Sequence, residues 1–177
     1  TWREWIGTDS LSKNLAKDIK AFKETEYFKK WNAFLSSPKL LETCEKFGTK
    51  IMFCPHRDAQ RFIGCFNTDN PHLTICKYPE YKVGSLLKTS EFMITDFSSV
   101  QADFAYMKKP LAYYHFDYEA YSEKQYHKSY FEYEKDGFGP VFENAEALAD
   151  YVYKMAENGF KNVEPYISRH KEFFTLF

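Results

Sequence analysis

The chain has 177 residues, 44% of them hydrophobic and 28% charged, which is enough apolar material for a packed core and far from the disordered class. A formal net charge of −1 offers no basic field for nucleic acid, and no apolar run approaches the roughly 20 residues of a membrane-spanning helix. Cys44, Cys54, Cys65 and Cys76 form no C-x-x-C pair, which points away from a zinc site and toward free thiols in a reducing compartment.

In chain order, "SKNLAKDIKAFKETEYFKKWNAFLSS" places Leu15, Ile19, Phe22, Tyr27, Trp31, Phe34 and Leu35 at helical spacing, and reads as one or two amphipathic helices. Pro38 starts the next helix, "KLLETCEKF", and Gly48 ends it. "KIMFCPH" is a short buried strand stopping at Pro55, and "RDAQRFIGCF" a loop or short helix. "LTIC" is the next strand, and "YKVGSLLKTS" a short helix with Val83, Leu86 and Leu87 inward. "FMIT" is a third strand, "SSVQADFAYMKK" a helix and "PLAYYH" a fourth strand. The segment "YHFDYEAYSEKQYHKSYFEYEKDGFGP" reads as a long polar, aromatic excursion, and loops of that length usually have a task. "NAEALADYVYKMAENG" is a helix capped by Asn144 with Gly159 at its end, and "EPYISRHKEFF" is a final helix. The alternation predicts an α/β fold, a parallel sheet with helices on both faces, as a single domain over residues 1–177. The chain starts at Thr1 inside what reads as structure, so a fragment of a longer protein is expected.

In such sheets ligands sit at the carboxyl ends of the strands. That rule selects "CPHRD", "KYPE", "TDFSS" and "YHFDYE". In "TDFSSVQADF", Ser98 with Gln101 three residues later fits a capping box, which leaves helix-start amides beside two hydroxyls for an anion. Taken alone, the turn reads first as a plain cap with Asp96 fixing it, since caps are far commoner than sites. Asp103, four residues after Ser99, lies on the same helix face, placed to accept from ligand hydroxyls or to pair with a lysine. His56 has the chemistry to donate to a phosphate oxygen or transfer a proton, and Arg57 to neutralise phosphate charge. Lys124, His127 and Lys128 are candidate cations in the long segment, and Arg3 stands where a preceding strand would end. Arg3, His56 and the Ser98–Ser99 turn together suggest strand-end loops converging on one phosphorylated ligand. The GxGxxG and P-loop patterns are absent, so a Walker-type triphosphatase is not supported.

"TWR", "PH", "FMITDFSSVQADFAYMKKPLAYY" and "YFEYEKDGFGPVFENAEAL" together resemble the CDP-glycerol glycerophosphotransferase family of teichoic acid and related polymer synthesis, from Thr1 to about Tyr153. The resemblance implies a GT-B enzyme, with two Rossmann-like lobes and a cleft between them, of which this chain is the C-terminal, donor-binding lobe. It implies transfer of glycerol phosphate from CDP-glycerol, or ribitol phosphate from CDP-ribitol, to a hydroxyl of a polymer or lipid-linked acceptor, releasing CMP, with no metal and no cofactor beyond the donor substrate. It further implies peripheral contact with the inner face of the cell membrane, an acceptor held by the missing lobe, and no nucleic acid partner.

By matching position, Ser98 and Ser99 would bind the donor phosphates, Asp103 the donor hydroxyls and Arg3 a phosphate, with Asp96 and Arg57 beside them and His56 contacting phosphate or moving a proton. Three positions depart from the family pattern. "CPHR" stands for "RPHP", "HKSYF" for an "RGFY"-like element, which leaves Lys128 or His127 as its cation, and "FGP" for "PGP". Two other readings stand beside this one: a lobe of a nucleotide-sugar glycosyltransferase of the same architecture, and a non-catalytic nucleotide-binding or interaction domain.

Overall fold

The computed structural model describes residues 15–66, 69–124 and 131–175. The chain forms two compact units: one of residues up to Tyr81 together with Asn144–Tyr153, the other of Lys82–Glu143 together with Lys154 onward. All strand pairing in the described residues is parallel, in an α/β arrangement with helices flanking the ladders.

In the first unit, the amphipathic stretch splits into α1 (Leu15–Glu24) and α2 (Glu26–Leu35). Thr25 causes the break. Its hydroxyl donates to the Phe22 carbonyl at 2.6 Å and accepts from the Phe28 N–H at 3.2 Å, so it ends one helix and caps the next. Phe22, Tyr27, Trp31, Phe34 and Leu35 are buried as the spacing predicts. Leu15 is instead exposed, and the buried polar position of α1 is Asp18, whose carboxylate accepts from Arg61 at 3.1 Å. Helix α3 (Pro38–Phe47) opens on Pro38 and closes at Gly48, whose φ of 66° is the left-handed conformation that glycine adopts without strain. Strand β1 (Ile51–Phe53) pairs in parallel with β2 (Leu73–Ile75). Between them residues Arg57–Cys65 take a 3₁₀ conformation that buries Ala59 and Phe62. Phe62 stacks on Phe22 at 4.4 Å, and Phe53 and Phe66 meet edge to face at 5.0 Å, an aromatic core under the ladder.

In the second unit, α4 (Val83–Thr89) precedes β3 (Met93–Thr95), α5 (Val100–Tyr106) and β4 (Leu111–Tyr114). Val83 is exposed rather than inward, while Leu86 and Leu87 are half-buried. Lys109 caps α4 from a distance, its ammonium donating to the carbonyls of Leu87, Lys88 and Ser90 at 3.0, 2.6 and 2.7 Å. The long polar segment is not a structureless excursion. It contains α6 (Tyr118–Lys124) and α7 (Tyr133–Asp136), and it is followed by a strand that the pattern did not predict, β5 (Val141–Phe142), parallel to β4 in the order β3-β4-β5. Helix α8 (Ala145–Glu157), which belongs to the first unit as far as Tyr153, begins on Asn144, whose side-chain carbonyl accepts from the N–H groups of Glu146 and Ala147 at 2.8 and 3.1 Å. Helix α9 (Tyr166–Phe173) is the last element, with His170 buried. Phe97, Phe104, Ala105, Leu111, Tyr113, Tyr133 and Phe138 form this unit's core.

Candidate functional site

In the first unit, the loops after β1 and β2 are joined by one side chain. Gln60 donates to the Pro55 carbonyl at 3.3 Å and to the Cys76 carbonyl at 3.4 Å, while its own carbonyl accepts from the Tyr78 N–H at 3.0 Å. Pro55 and His56 are thereby held beside Cys76 and Tyr78 at the carboxyl ends of neighbouring strands. His56 opens the 3₁₀ segment, and its Nδ1 accepts from the Asp58 N–H at 3.3 Å. Accepting there puts the proton of the neutral ring on Nε2. The Asp58 carboxylate lies 3.6 Å from the same Nδ1, ready to balance the charge if the ring is protonated. In both states Nε2–H remains a donor. The side chain is 40% exposed. Arg57 places its guanidinium over the Tyr78 ring, 5.4 Å from the centroid, which holds a cation beside the same loop.

In the second unit, β3 runs into a buried turn. Thr95, Asp96 and Phe97 are 6, 2 and 8% exposed, then the chain surfaces at half-buried Ser98 and exposed Ser99. The Asp96 carbonyl accepts from His115 Nε2 at 3.2 Å, joining the end of β3 to the end of β4. Phe97 is stacked between His115 at 4.3 Å and Tyr121 at 4.0 Å, which fixes the turn from below.

The expected capping box does not form. Ser99 is helical, at φ −62° and ψ −20°, and its side chain makes no capping bond. The first turn closes instead through the Ser98 and Ser99 carbonyls, which accept from the Gln101 and Ala102 N–H groups at 3.2 and 3.1 Å. Gln101 is drawn elsewhere: its side-chain carbonyl accepts from the Tyr113 hydroxyl at 2.5 Å. Among the described residues, neither the Ser98 nor the Ser99 hydroxyl has a hydrogen-bond partner. Asp103 is exposed on α5 and forms no ion pair with a described lysine.

Sequence reasoning missed the second layer of this turn. The Tyr113 hydroxyl that donates to Gln101 also accepts from the Phe138 N–H at 3.1 Å. One buried phenol thus ties "SSVQ" to "DGFGP", the two motifs on which the family resemblance chiefly rests. The second motif needs both its glycines, since a Cβ on Gly137 would lie 2.0 Å from the Tyr133 carbonyl oxygen and one on Gly139 1.9 Å from that of Leu111. Arg169 from α9 donates to the Gly137 carbonyl at 2.9 Å. Gln60, Tyr78 and Tyr113 carried no signal beyond residue type, because each acts through partners distant in sequence. Arg3, His127 and Lys128 lie outside the described residues.

Among the described residues no group of three or more His, Cys, Asp or Glu side chains is placed to hold a metal ion. No described helix is long and apolar enough to cross a membrane.

The profile of the CDP-Glycerol:Poly(glycerophosphate) glycerophosphotransferase family matches residues 1–176. The chain is 38% identical over 181 aligned positions to the minor teichoic acid biosynthesis protein GgaB of Bacillus subtilis strain 168, covering 98% of this chain and 19% of that protein. It is 30% identical over 94 positions to a teichoic acid glycerol-phosphate transferase of Staphylococcus aureus, covering 53% of this chain and 24% of that one. It is 32% identical over 79 positions to the teichoic acid poly(glycerol phosphate) polymerase of B. subtilis strain 168, covering 45% and 10%. The chain therefore spans about a quarter or less of the length of these relatives. No solved structure matches it significantly.

Proposed function

Because the chain belongs to the CDP-glycerol:poly(glycerophosphate) glycerophosphotransferase family, a family of transferases, we propose that it supplies donor binding to an enzyme using CDP-glycerol. In this reading residues 1–177 are one Rossmann-like lobe of a GT-B enzyme, and the acceptor is held by a part of the protein outside this sequence. An acceptor hydroxyl on a lipid-linked primer or growing polymer attacks the phosphorus that carries glycerol. The bond from that phosphorus to the bridging oxygen breaks, and CMP leaves with the electron pair.

Negative charge grows on the departing phosphate, so donors aimed at it lower the barrier. The observation that carries the reading is the pair of hydroxyls, Ser98 and Ser99, at the carboxyl end of β3, which have no partner among the described residues. They are assigned to the diphosphate. His56 Nε2–H is assigned to an oxygen of the leaving phosphate, and Arg57, Arg3 and Lys128 to its charge. Asp103 accepts from donor hydroxyls. Asp96 is buried and acts by shaping the turn beneath the serines. Peripheral attachment of the complete enzyme to the inner membrane face, where lipid-linked acceptors lie, belongs to the same proposal.

A thermal-shift panel on the full-length protein tests donor class. Stabilisation by CDP-glycerol or CDP-ribitol, and not by UDP-sugars or CMP-sialic acid, is expected. A response to UDP-sugars alone would replace this reading with a nucleotide-sugar glycosyltransferase. No response to any nucleotide donor would favour an interaction domain.

A further inference from the structure

The ladder of β1 and β2 ends on two cysteines. Its last paired residues are Phe53 and Ile75, so Cys54 and Cys76 are the next residues in register. The Cys76 N–H donates to the Phe53 carbonyl at 2.8 Å, which shows that the pairing continues up to the second cysteine. In-register residues of adjacent parallel strands put their side chains on the same face, and the strands run about 4.8 Å apart. That spacing lies within the roughly 4.4–6.8 Å between Cα atoms that a disulfide spans. The two thiols interact with each other, and the Cys54 thiol also lies 3.9 Å from the Met52 carbonyl. As whole residues Cys54 is exposed and Cys76 buried. The remaining two thiols have no such geometry assigned to them: Cys44 is buried in α3 and Cys65 closes the 3₁₀ segment.

We propose that Cys54 and Cys76 form an oxidisable dithiol, a modification site for low-molecular-weight disulfides that closes into an intramolecular disulfide between the two strand ends. Cys54 attacks one sulfur of the oxidant and expels a thiolate, giving a mixed disulfide. Cys76 then gives up its proton and attacks Cys54 Sγ, expelling the second thiolate. Two protein thiols and one small disulfide become one protein disulfide and two small thiols, and two electrons pass to the oxidant. Burial disfavours the thiolate at both cysteines and pushes both thiols up. Reaction is therefore slow at neutral pH and quickens as the medium becomes alkaline, since the thiolate is the attacking form. The product bolts together the two loops that Gln60 now holds by hydrogen bonds, next to His56 and Tyr78.

The test treats the folded, reduced full-length protein with excess oxidised glutathione at neutral and alkaline pH, alkylates the remaining thiols and maps the peptides. The expected product joins the Cys54 and Cys76 peptides, two hydrogen masses below their sum, and forms faster at alkaline pH. In Cys76→Ser the reaction stops at glutathione on Cys54. Persistent glutathione on Cys54 in the unsubstituted protein, a link through Cys44 or Cys65 in its place, or no modification while the protein stays folded overturns the proposal.

Discussion

At the scale of single residues, His56 shows how a backbone bond selects a side chain's chemistry. Its Nδ1 accepts from the Asp58 N–H, which puts the proton of the neutral ring on Nε2. That assignment separates two replacements of similar polarity. A glutamine amide reaches about as far as Nε2 and keeps an N–H there, whereas alanine removes it. His56→Gln is expected to retain several-fold more transferase activity than His56→Ala, whose loss is on the order of tenfold to a thousandfold, the range for a lost donor to developing charge. Steady-state rates on full-length protein check this. Equal loss in both variants would point to a proton-accepting Nε2 instead. The pair His56 and Arg57 was legible in the sequence from its place after a strand. Its dependence on Gln60 was not, because Gln60 reaches partners 5, 16 and 18 residues away.

At the scale of elements, periodicity found what repeated burial dictates. Helix α2 was visible because Tyr27, Trp31, Phe34 and Leu35 return at helical spacing to one buried face. Strand β5 has two residues, Val141 and Phe142, too few for any period to register. The capping box at Ser98 met the sequence template and still failed, since Tyr113 on β4 competes for Gln101.

That competition has a measurable consequence. Tyr113→Phe leaves the buried Phe138 N–H without its acceptor, and is expected to cost about 1–3 kcal/mol in denaturant unfolding. Because the same phenol positions the Gln101 end of α5, the variant should also raise the KM for the donor. Lost stability with unchanged KM would make Tyr113 structural only.

Helix α9 carries a pH dependence. Burial holds the His170 imidazole below its ordinary value, with the Asn162 amide 3.2 Å from Nδ1 and the Phe138 ring at 5.3 Å. The unfolded chain then binds the proton more readily than the folded one. The contribution to stability is fully present above about pH 6.5, and is lost as pH falls from there toward the depressed folded value. Melting temperatures measured down that range should fall, and His170→Gln should flatten the slope. An unchanged slope in the variant would assign the acid sensitivity to another group.

At the scale of the whole molecule, the α/β class followed from alternating helical and apolar strand segments, and the parallel ladders bear it out. Family membership was legible in "TDFSSVQADF" and "DGFGPVFENAEAL", and the structure gives a physical reason why such stretches are distinctive. One presents serines at a strand end, and the other packs glycines against carbonyls too closely for any side chain. The acceptor was not legible, because the relatives are roughly four to ten times longer than the part this chain matches.

The central claim is that the Ser98–Ser99 turn binds the donor. It is tested most directly by calorimetric titration of CDP-glycerol into full-length protein, unsubstituted and with Ser98 and Ser99 both replaced by Ala. These hydroxyls have no partner among the described residues, so the melting temperature should stay the same while donor affinity falls by tenfold or more, about 1.4 kcal/mol. Equal affinity in the two proteins would contradict the account.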